Sequence, residues 1–325
     1  MGMGPDDGMA PAVARIAGFW RRVFAFLVDG LLLAITGSAA GWLAFDAMAS
    51  LGLYGRLVGF LVALAYFGVL NSRIGGGQTL GKRAFGVRVV DSAGQLLTVR
   101  RSLLRYCVLG IPFALNGVPF GPAAMQVPWA SLLSAIAVGG MLSIAYLYVF
   151  NRRTRQSLHD LAVGSWVVCA GPAGAPVPAI AAWHGHLVVV ALLVLGVAAV
   201  PPVLDAQFEG GTLDDLVLVH RVVVRVPGVQ AAELEAAFDP RTWEPTGKVE
   251  ARVRMAAGTV DEARARGLAG AIFGTRTTSL EIEHLSIVLR RGYDLGFASA
   301  WKNHQFDFEA VEFAPAPPAT GDPED

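Results

Sequence analysis

Charged residues and cysteine are both scarce in this chain. Asp, Glu, Lys and Arg make up 16% of its 325 residues, and hydrophobic residues make up 54%. Soluble domains carry about 25% charged residues, so this composition argues against an ordinary soluble protein and favours membrane segments. The 2 cysteines, Cys107 and Cys169, have no metal-ligand spacing or nucleophile motif around them. We interpret both as small buried hydrophobes, and no disulfide is available to residues 205–325, which contain no cysteine.

The few charges are distributed unevenly along the chain. Residues 1–204 contain 14 Lys and Arg against 6 Asp and Glu, whereas residues 205–325 contain 12 against 20. The first part therefore has an excess of 8 positive charges and the second an excess of 8 negative charges. Two parts that differ this much in charge and hydropathy are predicted to be two domains in different solvents.

The first long apolar run begins at Arg21 and Arg22, extends to Ile35 and contains Asp29 near its middle. We predict that it is the first membrane span. A carboxylate at this depth costs about 2.5–3.5 kcal/mol, so Asp29 needs a partner. Arg22 lies on the same side of the helix, two turns earlier, and is the predicted ion-pair partner, with Arg21 as the alternative. A cleavable signal peptide over residues 15–40 is the competing interpretation, but the internal carboxylate argues against it.

Further apolar runs predict a bundle of about five transmembrane helices. After a first helix over about residues 16–49, the predicted spans are Leu57–Leu70, Leu103–Pro119, Trp129–Phe150 and Ala179–Leu204. Prolines interrupt the third segment, and a re-entrant segment is the alternative there. The basic segments 71–101 and 151–159 are typical of cytoplasmic loops. With a cytoplasmic N-terminus, five crossings place the residues after Leu204 outside the cytoplasm.

Two short runs in the basic loops have strand character. Val87–Val90 and Trp166–Cys169 are rich in β-branched residues, and both follow basic segments on the same predicted side of the membrane. We predict that they pair, because their backbone groups otherwise lack partners at the membrane surface. Thr98 is the predicted N-cap of the helix that leads back into the membrane.

The last 121 residues are predicted to form a compact α+β domain. Alternating residues favour strands at Lys248–Met255, Leu280–Ile282 and Phe306–Glu309, and valines favour a first strand at Leu216–Val226. Val229–Phe238 is predicted to be a helix. Thr259 and Glu262 form a capping-box pattern for a second helix, which extends to about Phe273.

Three motifs together resemble the RDD family of bacterial membrane proteins. They are Arg22 with Asp29 in the first helix, the segment Thr79–Arg83 followed by Val87–Asp91, and Ser157–Asp160. The family is named for one arginine and two aspartates, which match Arg22, Asp29 and Asp160. The resemblance covers about residues 15–170 and implies a multi-pass protein of the bacterial inner membrane. It further implies a role in transport, including cation/proton antiport, which has been suggested for the family.

The predicted fold class is thus a membrane α-helical bundle plus a C-terminal α+β domain. The predicted organisation is a disordered tail at 1–14, an RDD-like transmembrane domain at 15–170, a linker and additional helix at 171–204, an extracytoplasmic domain at 205–313 and a disordered tail at 314–325.

Arg22, Asp29 and Asp160 are the predicted polar cluster in the membrane, with Arg21 and His159 as contributors. Two interpretations stay open. The charges form an ion-paired latch that fixes helix packing, or a carboxylate binds a cation or proton during transport. His159 is either a proton relay beside Asp160 or, as a lone interfacial histidine usually is, a surface residue.

No motif in the sequence indicates an enzyme, a cofactor or a metal. In the acidic part, five side chains could ligate a metal but lack ligand spacing: His220, Glu281, Glu283, His284 and His304. The basic clusters flank spans without interleaved aromatic residues, which argues against nucleic-acid binding and for contact with lipid. The other predicted partners are a second copy or another membrane protein, and a small ion or ligand. Two hypotheses about function stay open: the protein is a transporter, or it is a non-catalytic anchor, scaffold or sensor whose outer domain binds a partner.

Overall fold

A computed structural model describes residues 13–116, 128–171, 174–208, 211–242, 244–256 and 260–313. Within these residues the chain forms two compact units. The first contains the described residues up to 116, with 128–201 and 293–300, and the second contains 202–292 and 301–313. The predicted tail at 314–325 and most of the one at 1–14 lie outside the described residues.

The first unit is helical with one small sheet. Its elements are α1 (Phe19–Leu43), α2 (Phe45–Ser50), α3 (Gly55–Leu70), α4 (Leu80–Ala84), β1 (Val87–Asp91), α5 (Val99–Leu115), α6 (Pro128–Ser134), a π-helical turn (Ala135–Gly139), α7 (Gly140–Phe150), α8 (Leu158–Val163), β2 (Ser165–Cys169) and most of α9 (Gly185–Phe208), whose residues from 202 onward are counted in the second unit. Among the described residues, four helical segments are long and apolar enough to cross a membrane: Phe19–Leu43, Gly52–Leu70, Trp129–Phe150 and Gly185–Val203. The predicted membrane helical bundle is confirmed.

The third predicted span corresponds to α5, which is shorter than these four segments. α5 has 17 residues and begins directly after Thr98, whose side chain accepts a hydrogen bond from the Arg101 backbone N–H. The predicted N-cap is therefore confirmed. Residues 117–127 lie outside the described residues, so the re-entrant alternative for this segment stays a prediction.

The predicted pairing of the two short strands is confirmed. β1 and β2 are antiparallel, with Val87 opposite Cys169 and Val90 opposite Trp166. The segment before α1 lies along the other edge of β2, where the Ala17 N–H donates to the Val167 carbonyl at 2.9 Å. This sheet satisfies backbone groups that a loop at a membrane surface would leave unpaired.

The register of this sheet predicts where an engineered cysteine should form a disulfide with Cys169. Val87 and Cys169 form a non-hydrogen-bonded pair, because the Cys169 N–H donates instead to the Arg15 carbonyl at 2.8 Å. Such pairs have Cα atoms about 4.5 Å apart, within disulfide range. In a Cys107→Ser background, Val87→Cys should crosslink to Cys169 on mild oxidation of membranes, and thiol alkylation under denaturing conditions should detect the loss of both thiols.

Val89→Cys is the matched control for this experiment. Val89 lies on the same strand and face but opposite Val167, two residues from Cys169 along β2. A diagonal neighbour is about 7–8 Å away, too far for a disulfide. Equal crosslinking of the two variants would contradict the register.

The second unit is an α+β fold, as predicted. It consists of α10 (Thr212–Val223), β3 (Val229–Phe238), β4 (Pro245–Met255), α11 (Glu262–Phe273), β5 (His284–Asp294) and β6 (Ser299–Glu309). The sheet order is β3-β4-β5-β6, with β3 antiparallel and β5 parallel to β4. α10 and α11 pack on this sheet, and their residues Val219 and Leu268 are buried with Val253 of β4.

Two element types predicted for this unit were wrong. Residues 216–226, predicted to be a strand, lie mostly in α10, where Asp215, Val219 and Val223 are buried at helical spacing. Residues 229–238, predicted to be a helix, form β3. Alanine and glutamate favour a helix there, but pairing with β4 along most of its length overrides this local propensity.

Two boundaries were also wrong. The N-cap of α11 is Asp261, whose side chain accepts from the Arg264 N–H, rather than Thr259. The predicted strand at Leu280–Ile282 belongs to the segment before β5. This segment is fixed by Asp215, which accepts from the backbone N–H groups of Thr278, Ser279 and Leu280 at 3.0, 2.6 and 2.8 Å. Burial alone would raise the pKa of Asp215, but these donors outweigh it and lower the pKa.

Candidate functional site

One face of α1 carries both charged residues of the predicted cluster. Arg22, Ala25, Asp29 and Leu33 are buried at intervals of three or four residues, so they share one side of the helix. Arg21 is exposed, and its guanidinium lies 3.8 Å from the Cys169 sulfur. The arginine that enters the cluster is therefore Arg22, and Arg21 is not part of it.

Asp160 is positioned by the first turn of α8. This short helix begins after Ser157, and the two residues form a capping box in which the Asp160 carboxylate accepts from the Ser157 N–H. The interaction holds the carboxylate at the helix N-terminus, where negative charge is favourable. Asp160 is fully buried there.

Two arginines converge on the Asp160 carboxylate. Arg22 Nη2 lies 2.8 Å from Oδ2, and Arg105 donates to Oδ1 through Nη2 at 2.7 Å and Nε at 3.0 Å. Ser165 Oγ also donates to Oδ1 at 2.9 Å. Burial alone would raise the pKa of Asp160, but Arg105 and Arg22 outweigh it and hold the pKa well below its usual range. One carboxylate thus joins α1, α5, α8 and β2.

The predicted ion pair between Asp29 and Arg22 is wrong. Asp29 accepts from Tyr66 Oη at 2.7 Å, Thr79 Oγ1 at 2.5 Å and the Gly81 N–H at 2.8 Å. Among the described residues, no lysine or arginine forms an ion pair with it. The reason is the position of α4, which packs on α1 beside Ala25 and Asp29. Its N-terminus, together with Tyr66 of α3, supplies neutral donors to Asp29.

The close approach of α4 depends on the absence of a side chain at Gly81. A Cβ at this position would clash with the Ala25 carbonyl oxygen of α1. Thr79 is the N-cap of α4, and its hydroxyl accepts from the Lys82 N–H at 3.3 Å while it donates to Asp29. The Thr79-Leu80-Gly81 segment therefore supplies two hydrogen-bond donors to the Asp29 carboxylate, the Thr79 hydroxyl and the Gly81 N–H.

His159 is buried, so its interpretation as a surface residue was wrong. It is 5% exposed, and its Nε2 lies 3.6 Å from Asp160 Oδ2. Burial lowers the pKa of His159 to about 3, against the opposing effect of Asp160. The imidazole is therefore neutral at pH 7. Its Nδ1 is buried without a hydrogen-bond partner among the described residues.

Sequence reasoning missed Arg105 and the neutral donors Tyr66, Thr79 and Ser165. Arg105 had a signal, because it is the one charged residue between Ser102 and Phe150. A cation in an otherwise apolar stretch of about 50 residues implies a buried counter-ion. The hydroxyl residues had no comparable signal, since such residues are common in helices and loops.

A cavity of about 320 Å³ lies next to these residues in the first unit. Residues of α1, α5 and α7 line most of it. Arg22, Lys82, Arg105, His159 and Asn71 supply its polar lining. Most of the remaining lining is apolar: Phe26, Leu27, Phe67, Leu109, Phe113, Met141, Ile144 and Val149. The cluster and the cavity together form the candidate site.

The observed pairing makes a prediction for double-mutant cycles. Arg22→Gln should destabilise the solubilised protein by about 3–5 kcal/mol, because it removes one partner of a buried ion pair. It should couple to Asp160→Asn by about 0.5–3 kcal/mol and be additive with Asp29→Asn, which belongs to a different set of contacts. Thermal unfolding of the purified variants in one detergent measures all three terms.

Arg21→Gln is the control, since the exposed neighbour should change stability by less than about 0.5 kcal/mol. Coupling of Arg22 to Asp29, with none to Asp160, would contradict the observed geometry.

Burial of a neutral His159 predicts a pH dependence of stability. Between its folded pKa of about 3 and its unfolded pKa of 6.5, the unfolded state binds more protons, so stability rises with pH across this window. Lowering the pH from 6.5 to 4.5 should cost about 2 kcal/mol through this residue. His159→Asn should remove that part of the dependence in thermal unfolding scans. His184→Asn, at an exposed position in the same unit, should leave the slope unchanged.

Comparison with known proteins shows that the segment containing most of the site matches a protein family. Residues 16–164 match the RDD family. The chain is also 26% identical over 160 residues to the uncharacterized protein YckC of Bacillus subtilis (strain 168). The aligned residues make up 49% of this chain and 89% of that relative. The fifth predicted span and the second unit lie beyond the family match. The resemblance seen in the three motifs is confirmed, since residues 16–164 of this membrane protein, which we call the RDD region, match the RDD family.

Proposed function

We propose that this protein is a non-catalytic membrane scaffold, in which the buried charges of the RDD region hold the bundle rigid as support for the C-terminal unit. The supporting observation is the saturation of the Asp160 carboxylate. Both of its oxygens are engaged by arginines, at 2.7 and 2.8 Å, and the residue is fully buried. A carboxylate that carries an ion has to release its partners, and here release would leave two buried guanidinium groups unpaired.

The pattern of charge along the chain supports an orientation for this scaffold. Segments 71–101 and 151–159 are basic, and residues 205–325 carry 20 acidic against 12 basic residues. We propose a multi-pass protein of the bacterial plasma membrane with a cytoplasmic N-terminus, and an extracytoplasmic domain at 205–313. A partner bound outside would then be a second copy or another membrane protein.

Transport of a cation or proton is the second candidate, and Asp29 favours it. This residue lies inside a predicted span, and it is bound by hydroxyl and amide groups rather than by a fixed positive charge. A carboxylate in this environment can exchange a proton without leaving an arginine unpaired. The suggested roles of the family in cation/proton antiport point the same way.

A flux assay separates the two candidates. The purified protein is reconstituted in liposomes that contain a pH-sensitive dye, and Na⁺ or K⁺ gradients are imposed. A scaffold should give proton movement equal to that of protein-free liposomes. A known antiporter, reconstituted in parallel, shows that the liposomes report flux.

Asp29→Asn gives this assay a site-specific test. Asparagine keeps one acceptor for Tyr66 and Gly81, so the variant should insert and unfold within about 1–2 kcal/mol of wild type. Cation-driven flux in wild type that Asp29→Asn abolishes, and Asp46→Asn at an exposed position retains, would overturn the scaffold proposal.

A further inference from the structure

The cavity beside the charge cluster is amphipathic along its length. Arg22 and Arg105, which both contact Asp160, lie at one end of it. Leu109 and Phe113 follow Arg105 at one-turn intervals along α5, and Met141 lies on α7 two turns before Tyr148. Since the Arg22 guanidinium stacks on Tyr148 at 4.9 Å, polar and apolar groups occupy opposite ends.

We propose that this cavity binds a single-chain anionic amphiphile from the membrane, with its carboxylate or phosphate head at the cationic end and its hydrocarbon chain along α5. A volume of about 320 Å³ is within the range of small-molecule sites. Such sites are mostly apolar with a few converging polar groups, and this cavity has that composition. The inference applies to a scaffold and to a transporter alike.

The charges at the polar end favour an anion. Arg22 and Arg105 share the single carboxylate of Asp160, and Lys82 forms no ion pair among the described residues. The Lys82 ammonium instead lies 3.4 Å from Thr79 Oγ1 and 5.7 Å from the centre of the Phe67 ring. The two arginines therefore exceed the charge of Asp160 by one. Burial and the nearby Arg105 lower the pKa of Lys82 to about 7, so an anionic head group beside it would favour its charged form.

A buried polar atom of the lining, His159 Nδ1, supports a bound head group independently. Asn71 and His159 are 2% and 5% exposed. Asn71 Oδ1 and His159 Nδ1 have no hydrogen-bond partner among the described residues. A buried polar atom without a partner costs about 1–3 kcal/mol. His159 Nδ1 can donate to an anionic head group in its N–H tautomer, whereas Asn71 Oδ1 is an acceptor and would need a water or an N–H or O–H donor. Both residues line the cavity that also contains Lys82.

The cavity is accessible from the side of the bundle. Leu27 of α1 and Val149 of α7 line it and are 57% and 45% exposed, and Ala145, one turn before Val149, also lines it and is exposed. For membrane helices such exposure means contact with hydrocarbon. An amphiphile can therefore enter with its chain from the lipid, and this access favours a ligand from the membrane over a water-soluble anion.

Binding of radiolabelled dodecanoate and dodecyl phosphate to the full-length protein in dodecyl maltoside tests the proposal. Both probes should bind saturably, and dodecyltrimethylammonium should not compete. Acetate and inorganic phosphate should not compete either, because they lack the chain. Competition by these small anions at the concentration of the probes would overturn the membrane source, and competition by the cation would overturn the charge argument.

Three variants locate the site. Lys82→Met should weaken binding about 10-fold, the equivalent of one charge-assisted hydrogen bond, and Lys82→Arg should retain it. Ala145→Trp should block the opening and abolish binding, whereas Leu142→Trp, also exposed on α7 but outside the lining, should not. The elution profile and unfolding temperature confirm that each variant is folded. Absence of saturable binding, or equal binding by Ala145→Trp and Leu142→Trp, would overturn the proposal.

Discussion

The Asp160 carboxylate is the group on which the RDD region depends most. It is fully buried, and a lone buried carboxylate would be unfavourable by several kcal/mol. Arg22, Arg105, Ser165 and the first turn of α8 compensate this cost together. Because these partners come from four separate elements, the carboxylate can be satisfied only when α1, α5, α8 and β2 are all in place.

Asp29 follows a different physical solution on the same helix face. Its charge is stabilised by hydroxyl and amide dipoles of Tyr66, Thr79 and Gly81 rather than by a counter-ion. Such an arrangement requires the backbone of α4 to approach α1 closely, which explains a glycine at position 81. The two aspartates of the family motif thus have separate tasks. Asp160 connects α1, α5 and β2 to α8 through its ion pairs and hydrogen bonds, and Asp29 binds the N-terminus of α4 to α1.

The cavity is a consequence of how these charges are satisfied. Asp160 holds Arg22 of α1 and Arg105 of α5 at one end of the cavity, and the next lining residues of both helices, Phe26 and Leu109, are apolar. Lys82 is the basic residue of the lining without an ion pair among the described residues. A rigid scaffold that retains such a site can respond to the anionic amphiphiles of its membrane, which would join the scaffold and sensor interpretations.

Local pattern alone determined much of this protein. Apolar runs and scarce charge gave the membrane helices, β-branched runs gave the β1–β2 pairing, and three motifs identified the RDD region. These features depend on residue type and spacing along one segment, so no knowledge of distant contacts was needed. In the second unit the same reasoning predicted a strand where α10 lies and a helix where β3 lies. The helix prediction failed because pairing between β3 and β4 outweighs the helix propensity of alanine and glutamate.

The partners of the buried charges were decided by tertiary structure. Helical spacing placed Arg22 and Asp29 on one face, and it suggested their pairing. It could not show that α4 would supply neutral donors to Asp29, or that Arg105, more than 80 residues after Arg22, would share Asp160 with it. The choice among possible counter-ions depends on distances across the bundle. Electrostatic energy in a dry interior changes steeply with those distances, and spacing along the sequence does not contain them.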